Sequence, residues 1–159
     1  MEPTTILSII LAITVVSYLF DQILDYVNLK AQRTEIPKEV EAFYEKDKYL
    51  KSLAYHRELA RFSFITAGFS FLLSLTMLLS GGFGWIDGWL RPSFNNTIVL
   101  SLVFFGVLVL ASDLLTIPFQ WYSTFVIEEK YGFNKTTVKT FITDKLKGYL
   151  LTGIVGGAM

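Results

Sequence analysis

Three long stretches of this 159-residue chain are almost free of charge, and they decide what it can fold into. Residues Pro3 to Phe20 make 18 positions without a charged side chain, Phe62 to Ile86 make 25, and Thr97 to Ile117 make 21 with Asp113 as the single exception. A bilayer core about 30 Å thick needs ~20 apolar residues of helix at 1.5 Å per residue. The apolar residues run continuously rather than alternating, which points to helices and not to the strands of a membrane barrel. A soluble core is a poor alternative, because too little polar chain remains to cover three such runs. Charged residues make up 18% of the chain, against about 25% in ordinary soluble domains, and they cluster between the runs. The expected fold class is therefore all-α, a multi-span helical membrane protein. Three complete transmembrane helices are expected at about 3–24, 62–86 and 97–117.

A fourth uncharged run, Gly148 to Met159, has only 12 positions and no Lys or Arg flank at its end. It reads as the start of a fourth span, cut off partway. The first run begins with Met1-Glu2 rather than a basic segment and has no small-residue cleavage site. It reads as an uncleaved anchor. Orientation follows from basic residues, which cytoplasmic connections accumulate. The connection 21–61 holds eight Lys and Arg, 87–96 holds only Arg91, and 118–147 holds five. This alternation puts the N-terminus outside, with cytoplasmic helical connections at 25–61 and 118–147. Trp85 and Trp89 then mark the outer interface, and Trp121 with Tyr122 the inner one.

Composition excludes several chemistries. No cysteine is present, which removes disulfide scaffolds, cysteine zinc modules and thiol nucleophiles. Equal numbers of acidic and basic residues give no reason to expect nucleic acid as a partner. Gly81-Gly82-Phe83-Gly84 lacks the spacing of a phosphate loop and reads as the turn after the second span. Asp21, Asp25 and Asp113 sit near the inner ends of spans. Two of them facing each other would suit an aspartyl protease, but the favoured reading is that they are solvated or paired with Lys30 or Arg61. Asn95-Asn96-Thr97 fits a glycosylation acceptor on the outer side, too close to the third span for ready use.

The cytoplasmic connections carry more information. Pro37, with acidic neighbours, suits a helix start, and Ile36, Val40, Tyr44, Leu50, Leu53 and Ala54 recur near helical spacing. They predict an amphipathic surface helix that can run on into the second span. In the other connection, Ile117-Pro118 predicts a kink or stop. Thr124 to Tyr131 is compatible with helix, Gly132 can supply a left-handed cap, and Asn134 or Thr136 can cap a new helix carrying Val138, Phe141 and Ile142. Glu128 and Glu129 diverge by about 100° on a helix, so they cannot aim at one substrate atom. They are expected to hold Lys or Arg partners that fix the segment.

The stretch Pro118-Phe119-Gln120-Trp121-Tyr122-Ser123-Thr124-Phe125-Val126-Ile127-Glu128-Glu129-Lys130-Tyr131-Gly132-Phe133-Asn134-Lys135-Thr136-Thr137 resembles the N-terminal membrane region of the type I CAAX prenyl proteases. The core Tyr122, Thr124, Phe125, Val126, Ile127, Glu128, Glu129, Lys130, Gly132, Phe133 and Asn134 is long and unusual in composition. Weaker likeness extends upstream to Ile36-Pro37-Lys38-Glu39-Val40 and downstream through Phe141 to Lys145. The resemblance implies part of an integral-membrane zinc metalloendopeptidase that cleaves near a prenylated cysteine in eukaryotes, or serves protein quality control in bacteria. It implies a bacterial inner membrane or an endoplasmic reticulum membrane. It also implies as partners the lipid bilayer, a catalytic portion not in this chain, and a peptide or protein substrate.

That family's chemistry rests on H-E-x-x-H, in which two histidines hold one zinc and the glutamate between them acts as base. Here the lone histidine, His56, stands in His56-Arg57-Glu58-Leu59-Ala60 without a second one at position 60. One imidazole cannot build a three-ligand site of the usual kind. No catalytic or metal residue is therefore expected in this chain, no cofactor of its own, and no activity alone; zinc is implied only for the complete family member. The rivals are a non-catalytic membrane scaffold or interaction module and, more remotely, a transporter fragment.

Overall fold

A computed structural model describes residues 2–32 and 45–158, and the described residues form helices, with short connections between those from residue 46 onward and without a strand. α1 spans Pro3–Ala31, α2 Lys46–Leu79, α3 Gly82–Leu90, α4 Thr97–Tyr122 and α5 Val138–Ala158. α4 runs on without interruption into a π-helical segment, Ser123–Glu128. Three of these helices are long and apolar enough to cross a membrane: Pro3–Ala31, Lys46–Leu79 and Thr97–Glu128. Among the described residues only Leu90, Leu100 and Ile127 are buried hydrophobics, while Ile13, Phe20, Leu72, Phe105 and many others face outward. An apolar exterior of this extent matches a lipid environment and would be a liability in water. The chain is an integral membrane protein with an all-α fold.

The helices overrun the uncharged runs, and each difference has a local cause. α1 continues past residue 24 to Ala31, since Asp25, Lys30 and their neighbours are helix-compatible residues at a water-facing end. α2 starts sixteen residues ahead of Phe62, so Leu50, Leu53 and Ala54 belong to the same helix as the second apolar run. The expected contributions of Ile36, Val40 and Tyr44 lie outside the described residues. So does the segment Ile36-Pro37-Lys38-Glu39-Val40.

The second run does not stay one helix through residue 86. Ser80 donates its N–H to the Thr76 carbonyl, and Gly81 then adopts φ 72°, a left-handed conformation that glycine reaches at no steric cost. A Cβ on Gly82 would come within 2.6 Å of the Met77 sulfur, so the chain turns back closely on α2 here. The glycine-rich segment then opens α3, whose Trp85 and Trp89 lie one turn apart and are 74% and 67% exposed. This suits a short helix with its indoles at a membrane–water boundary. Arg91 clamps the end of α3 by donating from Nε and Nη2 to the Asp87 carboxylate. Asn96 caps α4, its side-chain oxygen accepting from the N–H groups of Ile98 and Val99.

Pro118 does not end the third span. Proline cannot donate to the carbonyl four residues back, yet helix continues through it, as membrane helices tolerate when nearby groups restore the hydrogen bonding. In the turn before it, the Thr116 hydroxyl donates to the Asp113 carbonyl, and Gln120 Nε2 donates to the Thr116 hydroxyl. The final run, 148–158, is the second half of α5, whose first half carries Lys139, Asp144, Lys145 and Lys147.

α1 lies along α2 with Tyr18 stacked on Phe71, ring centroids 4.0 Å apart. α2 meets the last turns of α4, where Phe62 and Phe69 both contact Phe119.

Candidate functional site

The family-like segment is built around the end of the third span. Within Ser123–Glu128 the hydrogen bonds widen to the π pattern, a local irregularity that often accompanies function. Helix ends in a Schellman cap: Phe133 N–H donates to the Glu128 carbonyl and Gly132 N–H to that of Glu129. Gly132 holds φ 68°, the left-handed position read for it from sequence. The cap of α5 differs from the two candidates. Asn134 Oδ1 accepts from Thr136 N–H in a local turn, and the Thr137 hydroxyl takes the Thr140 N–H. Thr137 is the capping residue.

Each motif residue has a definite place. Ile127 is 1% exposed, the most buried residue described. Tyr122 packs on Phe62, centroids 4.9 Å apart, and Phe125 sits between Trp121 and Phe141. Phe133 meets Tyr55, and Lys51 Nζ lies 5.9 Å from its ring centre. Val126 is exposed, and Thr124 lines a cavity between α4 and α5. Lys130 Nζ donates to Glu58 Oε2 at 2.6 Å, and the Tyr131 hydroxyl donates to the same oxygen at 2.7 Å. By accepting these hydrogen bonds that carboxylate favours the protonated form of each group, and so raises the pKa of Lys130 and of Tyr131.

The glutamate pair does not fix the segment in the way expected. Among the described residues neither Glu128 nor Glu129 pairs with a Lys or Arg. Glu129 Oε2 accepts from Asn134 Nδ2 at 2.9 Å, and Glu128 serves through its main-chain carbonyl. The ionic brace is the next residue, Lys130, reaching Glu58 on α2.

A second polar cluster lies between α4 and α5. Asp113 accepts from Lys145 Nζ at 2.5 Å, from the Tyr149 hydroxyl and from Gln120 Nε2 at 3.2 Å. The anticipated partners Lys30 and Arg61 are not the ones Asp113 uses. The signal for it was the i,i+4 spacing of Lys145 and Tyr149, which puts both on one face of α5. The cavity beside this cluster measures about 540 Å³ and is lined by Asp113, Thr124, Thr136, Asp144, Lys145 and Tyr149 among others.

Neither cluster fits a zinc ion. His56 is exposed and contacts the Tyr55 ring, and among the described residues no three of His, Cys, Asp or Glu gather into a ligand set.

Residues 25–159 match the model of the family described as CAAX prenyl protease N-terminal, five membrane helices. The chain is 40% identical over 124 residues to a probable CAAX prenyl protease 1 of Schizosaccharomyces pombe, covering 70% of this chain and 26% of that protein. It is 31% identical over 160 residues to CAAX prenyl protease 1 of Saccharomyces cerevisiae, covering 94% of this chain and 35% of that one. The crystal structure of S. mikatae Ste24p superposes with a TM-score of 0.83 at 30% identity, over 99% of this chain and 38% of that one. The chain thus spans between a quarter and two-fifths of the length of these relatives. The family model, the sequence identity and the superposition agree on one assignment: the chain belongs to the CAAX prenyl protease family and corresponds to that family's N-terminal membrane region.

Proposed function

We propose that this chain forms the membrane-embedded wall of a zinc endopeptidase of the CAAX prenyl protease type. The single observation that carries this reading is the superposition on S. mikatae Ste24p over 99% of the chain at 30% identity. Peptide-bond hydrolysis and the zinc that supports it belong to the part of the relatives' length that this chain does not span. What its own residues do is mechanical. Lys130 and Tyr131 tie the end of the third span to Glu58 on α2, and Asp113 ties α4 to α5 through Lys145 and Tyr149. Three helices held in this way, α2, α4 and α5, give a fixed wall against which a peptide substrate can be presented.

The relatives named above are eukaryotic, which supports a prenylated peptide or protein as substrate and the endoplasmic reticulum membrane as location. The distribution of basic residues supports an N-terminus on the lumenal side, with spans near 3–24, 62–79 and 97–117 and a fourth beginning near 148.

The test is a chimera: this chain replaces the matching part of the S. cerevisiae relative, and cleavage of a farnesylated CAAX peptide is measured in membranes. Retained cleavage is expected. An inserted, folded chimera without cleavage overturns the reading and favours a non-catalytic scaffold. The 159-residue chain alone should bind no stoichiometric zinc and cut no peptide; metal analysis showing one zinc per chain would refute that division of labour.

A further inference from the structure

A cavity of about 510 Å³ opens between α2 and the end of the third span, lined by Leu50, Leu53, Ala54, Arg57, Glu58, Arg61, Lys130 and Tyr131. Its charge is unbalanced: three cations face one carboxylate, and that carboxylate is already occupied by Lys130 and the Tyr131 hydroxyl. Arg57 uses Nη2 on the Gln32 carbonyl at 3.1 Å, its one hydrogen bond among the described residues. Arg61 is exposed and makes no hydrogen bond or ion pair among the described residues. Two guanidinium groups one helical turn apart, with an ammonium opposite, form a surface suited to a phosphate group.

Position selects the source of that phosphate. The uncharged part of α2 begins at Phe62. At 1.5 Å per residue, Arg61 stands about 1.5 Å and Arg57 about 7.5 Å ahead of it along the axis. The headgroup layer of one leaflet is roughly 5–8 Å thick, so both side chains stand at its depth. On the other side of Arg61 from the cavity's outer wall of Leu50, Leu53 and Ala54 the uncharged helix begins at once, which leaves room for acyl chains below a phosphate held at this depth. We propose that Arg57, Arg61 and Lys130 seat the phosphate of an anionic lipid headgroup at the membrane surface. This assignment does not rest on the protease reading, because it concerns binding by this chain alone.

The test uses the purified 159-residue chain in phosphatidylcholine nanodiscs doped with phosphatidylserine, reading retained anionic lipid by native mass spectrometry. Phosphatidylserine should be retained in excess of its share. Arg61→Gln should lower that retention about tenfold, the scale of a lost charge-assisted contact. Arg61→Lys should lower it less, because it keeps the charge and loses only the planar fork. Lys135→Gln, which removes an exposed charge outside the cavity, should leave it unchanged. Among the described residues Arg61 makes no hydrogen bond or ion pair and only a longer-range attraction to Glu58, so its variants should stay close to the parent melting temperature. If Arg61→Gln nevertheless unfolds the chain, competition on the parent chain decides: short-chain phosphatidylserine should displace the bound lipid and inorganic phosphate should not. An equal loss from Lys135→Gln would reduce the effect to diffuse charge and overturn the site. Displacement by inorganic phosphate as effectively as by short-chain lipid would overturn the lipid source. No enrichment in the parent chain would overturn both, and would leave the cavity to an acidic segment of the remaining protein.

Discussion

The same chemical unit, a carboxylate that takes one lysine ammonium and one tyrosine hydroxyl, occurs twice in this molecule in different surroundings. At the end of the third span it is Glu58 with Lys130 and Tyr131; between α4 and α5 it is Asp113 with Lys145 and Tyr149. In the first, Lys130 is 58% exposed; in the second, both ionic side chains are about a quarter exposed, 23% and 24%. Where water can replace a lost partner, an ion pair adds little. Where the pair is largely withdrawn from water, the surviving partner has less to replace what it loses, and the pair becomes more costly to break. The first unit should therefore act as a guide for a segment already held by packing, and the second as the main lock between two helices.

Removing the packing at the surface unit should have the largest effect. Ile127→Ala takes away the most buried side chain and should cost about 3 kcal/mol, seen as a lower melting temperature in detergent. A smaller loss there than from breaking the inner ion pair would reverse the ranking of the two regions. Lys145→Met strands Asp113 and should cost about 2 kcal/mol, less than a fully buried pair because the site is a quarter exposed. The double variant Asp113→Leu with Lys145→Met should recover most of that loss. Failure to recover would mean that the tyrosine and glutamine bonds, and not the charges, hold α5.

Gly132→Ala should cost about 1–2 kcal/mol through its left-handed backbone alone, since the nearest atom to an added Cβ is 3.5 Å away. Glu58→Gln should lower the melting temperature by less than Lys145→Met. One molar salt should erase most of the difference between Glu58→Gln and the parent while leaving the Lys145→Met difference intact. The smallest effect concerns pH. Lys130 and Tyr131 have raised pKa values in the folded chain, so their contribution is full below the ordinary values and fades as pH climbs through the raised ones. An alkaline decline in melting temperature that is weaker in Glu58→Gln is the expected sign; an alkaline decline of the same size in Glu58→Gln would contradict it.

Much of this architecture was legible in the residues. Uncharged runs gave the three membrane helices because hydrogen bonding and thickness leave lipid-spanning chain almost no other choice. Gly132 was legible because only a left-handed cap explains a glycine between Tyr131 and Phe133 at the end of a helical pattern. The pairings were not. Lys130 finds Glu58 from 72 positions away and Lys145 finds Asp113 from 32, and both depend on which helix faces lie together. Glu128 and Glu129 drew attention as the conspicuous acids of the motif, yet the carboxylate that matters to this segment sits on α2. Of the two outcomes read for Pro118, a kink or a stop, the stop does not occur: that signal is calibrated on water, where freed carbonyls are solvated, and here the surroundings favour continued helix.

The π segment Ser123–Glu128 has one more consequence, for insertions and deletions. A single π turn holds one residue more than the α-helix around it, so everything beyond is rotated by about 100° relative to an uninterrupted helix. Lys130 and Tyr131 reach Glu58 from that rotated frame. Deleting one residue among 123–128 would let the segment relax to ordinary helix with few bonds lost. The span would survive such a deletion, while its last turn would point the lysine and the tyrosine to another side of the molecule. At this point the chain's register, more than its composition, carries the information about where α2 must stand.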